Sequence, residues 1–242
     1  MKSIVVLGMA ALALPLAAAE PAAAPPFTLT LGTRHAHVTP GRQGFTHTGG
    51  GNIDVAQPAP DTIVITMTGV AVAGGHPCKP SSASMKFELD QCIEIVCDKP
   101  DSRRARLTME GRVIGLLRSH EKGGGTACEG PGQASVSSGP AVLATLDLPA
   151  HSVCGGQNLS INCRTGPVAC AVPPGSYELR QCWTVTATHP ASFWPCKAAS
   201  AELAPDPALD PLWISYWEPF HGAAKKDFGF QVIIRVAPEI GR

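Results

Sequence analysis

Apolar and polar residues alternate along much of the chain, and Gly and Pro interrupt the alternation at short intervals. The clearest case is Phe228–Val236, in which every second residue is Phe, Val or Ile. A period of two places such residues on one face of a β-strand. Further strands are predicted at Thr62–Thr68, Met85–Leu89, Ile93–Val96, Arg106–Glu110, Val113–Leu117, Val142–Leu148 and Tyr177–Thr188.

Short strands separated by turns, with no amphipathic segment of helical length, predict an all-β fold. We interpret the pattern as an antiparallel β-sandwich with few short helices. Two arrangements remain open: two disulfide-stabilised sandwich units of Ig-like size, residues 27–130 and 131–242, or a single β domain over 27–242. The glycine runs at 49–51 and 123–125 are predicted loops, and neither precedes the Lys-Ser/Thr of a phosphate-binding loop.

Two pairs of segments resemble each other. Residues 65–83 (ITMTGVAVAGGHPCKPSSA) align without gaps with residues 183–201 (WTVTATHPASFWPCKAASA), and both contain PCKxxSA. In addition, FELDQC at 87–92 resembles YELRQC at 177–182. The first pair indicates two strand-plus-loop units with similar roles, either in two domains or within one. The order of the second pair is reversed relative to PCK, so one simple duplication does not explain both.

The first nineteen residues have the three parts of a signal peptide. Lys2 supplies a positive charge, Ile4–Leu16 is apolar, and Ala17–Ala19 offers small residues for cleavage. Residues 20–26 form a Pro/Ala linker. We therefore expect a secreted or periplasmic protein cleaved near Ala19, and the short lysine-led signal is typical of bacteria.

The charge balance excludes one class of partner. Lys plus Arg and Asp plus Glu both number 19, so the formal net charge is zero. Nucleic-acid binding depends on many Lys and Arg contacts to phosphate, and no basic stripe is present. No other apolar run reaches the ~20 residues that span a bilayer, so no membrane span is expected.

Nine cysteines in an exported chain predict disulfides. Cys163 and Cys170 bracket Arg-Thr-Gly-Pro-Val-Ala, a turn sequence that would bring them together across a hairpin. Cys78 and Cys196, which occupy equivalent positions in the PCK segments, are further disulfide candidates. An odd number leaves one thiol free, modified or paired between chains, so self-association is left open.

The segment PLWISYWEPFHG (211–222) is rich in aromatic residues in a chain that has only seven Phe, four Trp and two Tyr. Asp210-Pro211 is a favourable helix start and Pro219 a stop, so a short helix is predicted from Pro211 to Trp217. Trp213, Tyr216 and Trp217 would then share one face. Such a face either packs into the core or an interface, or stacks on sugar rings as a ligand-binding platform.

Two further groups of residues could carry chemistry. His35 and His37 would lie on the same side of a strand, with His47 as a third ligand for Zn or Cu; surface histidines without a cofactor are the alternative. Glu218 and His221 are candidate catalytic residues of a hydrolase. However, neither GxSxG nor HExxH occurs in the chain.

These observations favour an exported, non-enzymatic structural or interaction protein of the cell envelope or secreted layer. Its expected partner is a cell-envelope protein or a polysaccharide. The alternatives are a carbohydrate-binding module that uses Trp213 and Trp217, and a secreted hydrolase or metal-dependent enzyme.

Overall fold

The computed structural model describes residues 27–44, 46–73, 79–98, 104–119, 126–155, 157–190, 199–203 and 229–239. These residues form antiparallel strands and contain no helix, and consequently none that could cross a membrane. The all-β prediction is confirmed, whereas the few short helices are not found in these ranges. The helix predicted at Pro211–Trp217 lies outside them. The strands are β1 (Phe27–Gln43), β2 (Thr46–Ala59), β3 (Thr62–Ala73), β4 (Ser81–Cys97), β5 (Ala105–Ser119), β6 (Thr126–Glu129), β7 (Gly132–Ser138), β8 (Ala141–Leu148), β9 (His151–Cys154), β10 (Asn158–Val172), β11 (Gly175–His189), β12 (Ala199–Leu203) and β13 (Gly229–Pro238).

The strands belong to two sheets. The seven-stranded sheet has the order β1-β4-β11-β6-β9, with β7 pairing with β11 and β8 with β7. The six-stranded sheet has the order β10-β5-β12-β3-β13, with β2 pairing with β3 and an additional β5–β13 pairing. Both sheets combine strands from the two halves of the chain, because β4 pairs with β11 and β3 pairs with β13. Strand pairing therefore does not follow the predicted boundary at residue 130.

Strands β4 and β5 each join two predicted strands, because the residues between those predicted strands are also paired. In β4 every second side chain from Ser81 to Ile95 is buried, including that of Gln91. The Gln91 amide donates hydrogen bonds to the carbonyls of Gly32 and Thr33 in β1. In β5, Gly111 lies between the two predicted strands. It is also buried, and it pairs with β10 on one side and with β13 on the other.

The apolar faces of the two sheets contribute to one core. The indole of Trp183 in β11 stacks on Phe87 in β4, with ring centroids 5.2 Å apart. Its centroid is also 6.1 Å from that of Phe230, which belongs to the other sheet. A Cβ atom at Gly111 would lie 2.7 Å from Leu146 of the seven-stranded sheet. Side chains of opposite sheets are therefore in direct contact.

The hairpin predicted around Cys163 and Cys170 is not formed. Both cysteines lie on one strand, β10, which pairs with β5 on either side of a register shift between Thr165 and Val168. Gly166, with a φ of 95°, lies in this bulge. An edge strand such as β10 can accommodate a proline at a bulge. The hairpin prediction is therefore wrong, and no disulfide joins two cysteines within the described residues.

The glycine run at 49–51, predicted as a loop, is part of strand β2. It coincides with a register shift between Thr48 and Gly51. A Cβ atom at Gly51 would lie 2.7 Å from the Phe87 ring and 2.9 Å from the Met85 side chain. Gly51 thus allows the backbone of β2 to approach the core closely.

The PCK segments occupy reciprocal places in the fold. In each segment the chain crosses from one sheet to the other, from β3 to β4 and from β11 to β12. The first strand of each segment pairs with the second strand of the other, since Ala73 lies opposite Ala199 and Ser81 lies opposite His189. The sequence similarity therefore corresponds to two strand pairs, β3 with β12 and β4 with β11, in which each segment supplies one strand.

Candidate functional site

Strand register assembles a polar row across the outer face of the seven-stranded sheet, the face opposite the core. His37 of β1 lies opposite Glu88 of β4, and Glu88 lies opposite Cys182 of β11. Cys182 in turn lies opposite Gln133 of β7, whose amide donates a 2.8 Å hydrogen bond to Asp147 of β8. Neighbouring strands are about 4.8 Å apart, so the row brings residues from five strands together.

A second row runs parallel to the first. His35 lies opposite Asp90, Asp90 opposite Arg180, and Arg180 opposite Ser135. Between the rows is an open concavity with a volume of about 480 Å³. We call it the Arg180 concavity; its lining includes His37, Glu88, Asp90, Gln133, Arg180 and Cys182.

The two six-residue segments FELDQC and YELRQC form the centre of this site. They lie on the adjacent antiparallel strands β4 and β11, with Asp90 directly opposite Arg180. On either side of that pair a glutamate faces a cysteine: Glu88 faces Cys182, and Glu178 faces Cys92. The resemblance noted in the sequence thus becomes a local two-fold arrangement about the Asp90–Arg180 pair.

Ion pairs hold the central charges in place. Arg180 Nε lies 3.4 Å from Asp90 Oδ1, and Arg180 Nη2 lies 3.0 and 3.1 Å from the two oxygens of Glu178. The hydrogen bond to Glu178, and then the charges of Glu178 and Asp90, raise the pKa of Arg180. Lys86 Nζ contacts Glu88 Oε1 at 2.7 Å. The guanidinium is therefore held between two carboxylates on an exposed surface.

The thiol in the concavity is poorly suited to nucleophilic chemistry. Partial desolvation raises the pKa of Cys182, and the carboxylate of Glu88 raises it further, against a smaller opposing effect of Lys86. Reactive cysteines need the pKa lowered so that the thiolate forms. Cys182 is therefore a neutral side chain at neutral pH.

The structure places the three histidines of the predicted metal site on two different sheets. His35 and His37 do lie on the same outer face, opposite Asp90 and Glu88. His47 lies on β2, opposite Val72 in the other sheet, because β1 and β2 do not pair with each other. Across the described ranges, no group of three or more His, Cys, Asp and Glu residues is arranged to hold a metal ion.

Several predicted site residues lie outside the described residues, and their roles stay predictions. They are Trp213, Tyr216, Trp217, Glu218, His221, Cys78 and Cys196.

Comparison of the chain with protein-family models, with curated proteins and with solved structures gave no match. The function is therefore inferred from the geometry and chemistry of the chain itself.

Proposed function

We propose that the protein is an exported, non-enzymatic interaction protein of the cell envelope or secreted layer, and that it binds a hydroxyl-rich polysaccharide in the Arg180 concavity. The observation that carries this proposal is the concavity itself, in which Asp90 and Arg180 form an ion pair on an open sheet face. Arg180 also contacts Glu178, next to the concavity.

The chemistry of the lining favours a polysaccharide over a protein. Carboxylate, amide and guanidinium groups can each form two hydrogen bonds, and neighbouring sugar hydroxyls both donate and accept them. The centre of a protein interface is instead depleted in Glu, Asp and Lys and enriched in Tyr, Trp and Phe. The residues lining the concavity include Glu88 and Asp90 but no Phe, Trp or Tyr.

The placement of the carboxylates favours binding over hydrolysis. A glycosidase needs two carboxyl groups that flank the scissile bond. Glu88 and Asp90 are alternate residues of β4 and project from the same face, so both would approach a bound sugar from the same side. Asp90 is also engaged by Arg180.

The rest of the proposal concerns architecture and export. We propose that the two sheets pack as one β-sandwich domain, since Trp183 and Phe230 of opposite sheets are in contact. A hydrogen bond from Tyr177 Oη to the Pro173 carbonyl, 2.6 Å long and at the start of β11, resembles the tyrosine corner of Greek-key sandwiches. Export rests on the signal-peptide pattern of residues 1–19, and disulfides stay a prediction for Cys78 and Cys196.

The test is binding of the purified mature protein to a panel of immobilised polysaccharides. We expect one or more to bind, and Asp90→Ala to weaken that binding about ten-fold or more, because it removes an acceptor and one of the two carboxylates that hold Arg180. Asp54→Ala, on an exposed position of β2 in the other sheet, is the matched control and should bind like the parent.

Three outcomes distinguish the hypotheses. Equal binding by parent and Asp90→Ala protein would place any polysaccharide site elsewhere. Release of shorter sugars from a bound polysaccharide would establish the hydrolase alternative. N-terminal sequencing of the protein from a bacterial secretion host should start near Glu20, and an intact Met1 would contradict export through this signal.

A further inference from the structure

Two arginines face each other on the outer face of the six-stranded sheet. Arg112 of β5 lies directly opposite Arg164 of β10. Residues directly opposite each other in an antiparallel pair have Cα atoms about 5 Å apart. Their strand neighbours, such as Val113 and Cys163, are turned toward the core, so both arginine side chains leave the sheet on its outer face.

No carboxylate within the described residues neutralises this pair. The other cross-strand neighbour of Arg112 is Gln231 of β13, which carries no charge. The nearest acid on β5 is Glu110, which contacts Arg235 at 3.5 Å. Elsewhere the pattern is the opposite, since Asp90 faces Arg180. Like charges placed directly opposite each other destabilise a sheet, so the Arg112–Arg164 pair calls for a compensating anion.

The donor groups of Arg112 support this reasoning. Its Nε atom is buried and has no hydrogen-bond partner among the described residues. A buried N–H without an acceptor costs free energy. A guanidinium can donate two parallel hydrogen bonds, from Nε and one Nη, to two oxygens of the same oxyanion.

We propose that Arg112 and Arg164 form an oxyanion site that takes a phosphate or sulfate group, either as a free ion or as a monoester on a larger molecule. The oxyanion lies between the two guanidinium groups and accepts hydrogen bonds from both. It removes the repulsion between the two arginines. This site lies on the other sheet from the Arg180 concavity and does not depend on the polysaccharide proposal.

The experiment follows the arginine Nε–H signals of the ¹⁵N-labelled mature protein during titration with potassium phosphate. Potassium chloride at the same ionic strength serves as the blank. We expect the Arg112 and Arg164 signals to shift together and to saturate with one dissociation constant. Arg180 and Arg235 already contact carboxylates, so their signals should not follow that curve. Methyl phosphate, run in parallel, reports whether the site also accepts a monoester.

Variants make the test decisive. Arg112→Gln and Arg164→Gln should each raise the dissociation constant about ten-fold or more, because each removes a charged donor pair. Arg112→Lys retains the charge without the fork and should bind with intermediate affinity. Arg106→Gln, at an exposed position of the same strand with Ala171 and Ala237 opposite it, is the control and should bind like the parent. If phosphate and chloride act alike, or if Arg106→Gln weakens binding as much as Arg112→Gln, the proposal is wrong.

Discussion

Two buried glutamines occupy equivalent positions of the six-residue segments FELDQC and YELRQC. Comparing them tests how much a buried amide costs with and without hydrogen bonds. Gln91 and Gln181 are each only 2% exposed. Gln91 Nε2 lies 3.1, 3.3 and 2.7 Å from the carbonyl oxygens of Gly32, Thr33 and Cys92. Gln181, by contrast, has neither its Nε2 nor its Oε1 bonded to any described residue. The same side chain is thus satisfied in one strand and unsatisfied in its neighbour.

The two substitutions to methionine should therefore change the free energy of unfolding differently, Gln91→Met by a clear loss and Gln181→Met by no loss or a gain. Met has nearly the volume of Gln, so cavity effects are small. Gln91→Met removes two N–H donors and leaves β1 carbonyls unpaired, which we expect to lower the free energy of unfolding by about 2–3 kcal/mol. Gln181→Met removes a buried unsatisfied amide, so we expect a change between zero and a stabilisation of about 1–2 kcal/mol.

The assay is urea unfolding of each variant, followed by Trp fluorescence, with thermal unfolding as a second measurement. For a domain of this size about 1 kcal/mol corresponds to roughly 2–4 °C in Tm. The expected gap between the two variants is therefore about 4 °C or more. A loss of stability in Gln181→Met equal to that in Gln91→Met would refute the reasoning, because it would mean that the Gln181 amide is fully hydrogen-bonded, for example to buried water.

Two further predictions test the packing of the two sheets. Tyr177→Phe should lower the free energy of unfolding by about 1 kcal/mol at pH 8, since it removes the hydrogen bond to Pro173. Burial, and then the charge of Cys170, raises the pKa of Tyr177 above its ordinary 10.0. As the pH rises above about 10, the unfolded chain therefore loses this proton before the folded protein does, and the free energy of unfolding falls. In urea unfolding, the difference in free energy of unfolding between the parent and Tyr177→Phe should become smaller over that pH range. Gly111→Ala should cost about 1–3 kcal/mol by urea unfolding, because its Cβ atom would meet Leu146 at 2.7 Å. Gly130→Ala, where the nearest atom would be 3.4 Å away, should change stability by less than about 0.5 kcal/mol, and equal losses at the two glycines would contradict close packing between the sheets.

Local patterning was sufficient for the strands with strict alternation. Phe230, Val232 and Ile234 are fully buried, as their spacing predicts, because a period of two determines which side chains share a face whatever the partner strand. The same reasoning failed at Gly166-Pro167 and at Gly49–Gly51. Glycine and proline are typical of turns, but at both places a paired neighbouring strand makes a bulge possible instead.

The sequence indicated only part of the candidate site. The resemblance between FELDQC and YELRQC was detectable, but the strand predicted at Met85–Leu89 ended before Asp90, which the structure includes in β4. What no single-strand pattern contains is the register that sets Asp90 opposite Arg180 and Arg112 opposite Arg164. Register is specified by the apolar residues that are buried on the other face of the sheet. Charged residues on the outer face bury little surface, so they do not predict which residues will lie opposite each other.

The sequence by itself therefore determined the class of fold and the inward or outward direction of the regular strands, because both follow from the two-residue repeat of a strand. The tertiary structure alone decided which strands are neighbours. It separated His47 from His35 and His37 by placing β2 in the other sheet. It also paired β4 with β11, so that Met85 lies opposite Val185, which comes 100 positions later. Pairing of distant strands depends on the packing of a shared core and on register, which are properties of the whole chain rather than of any segment.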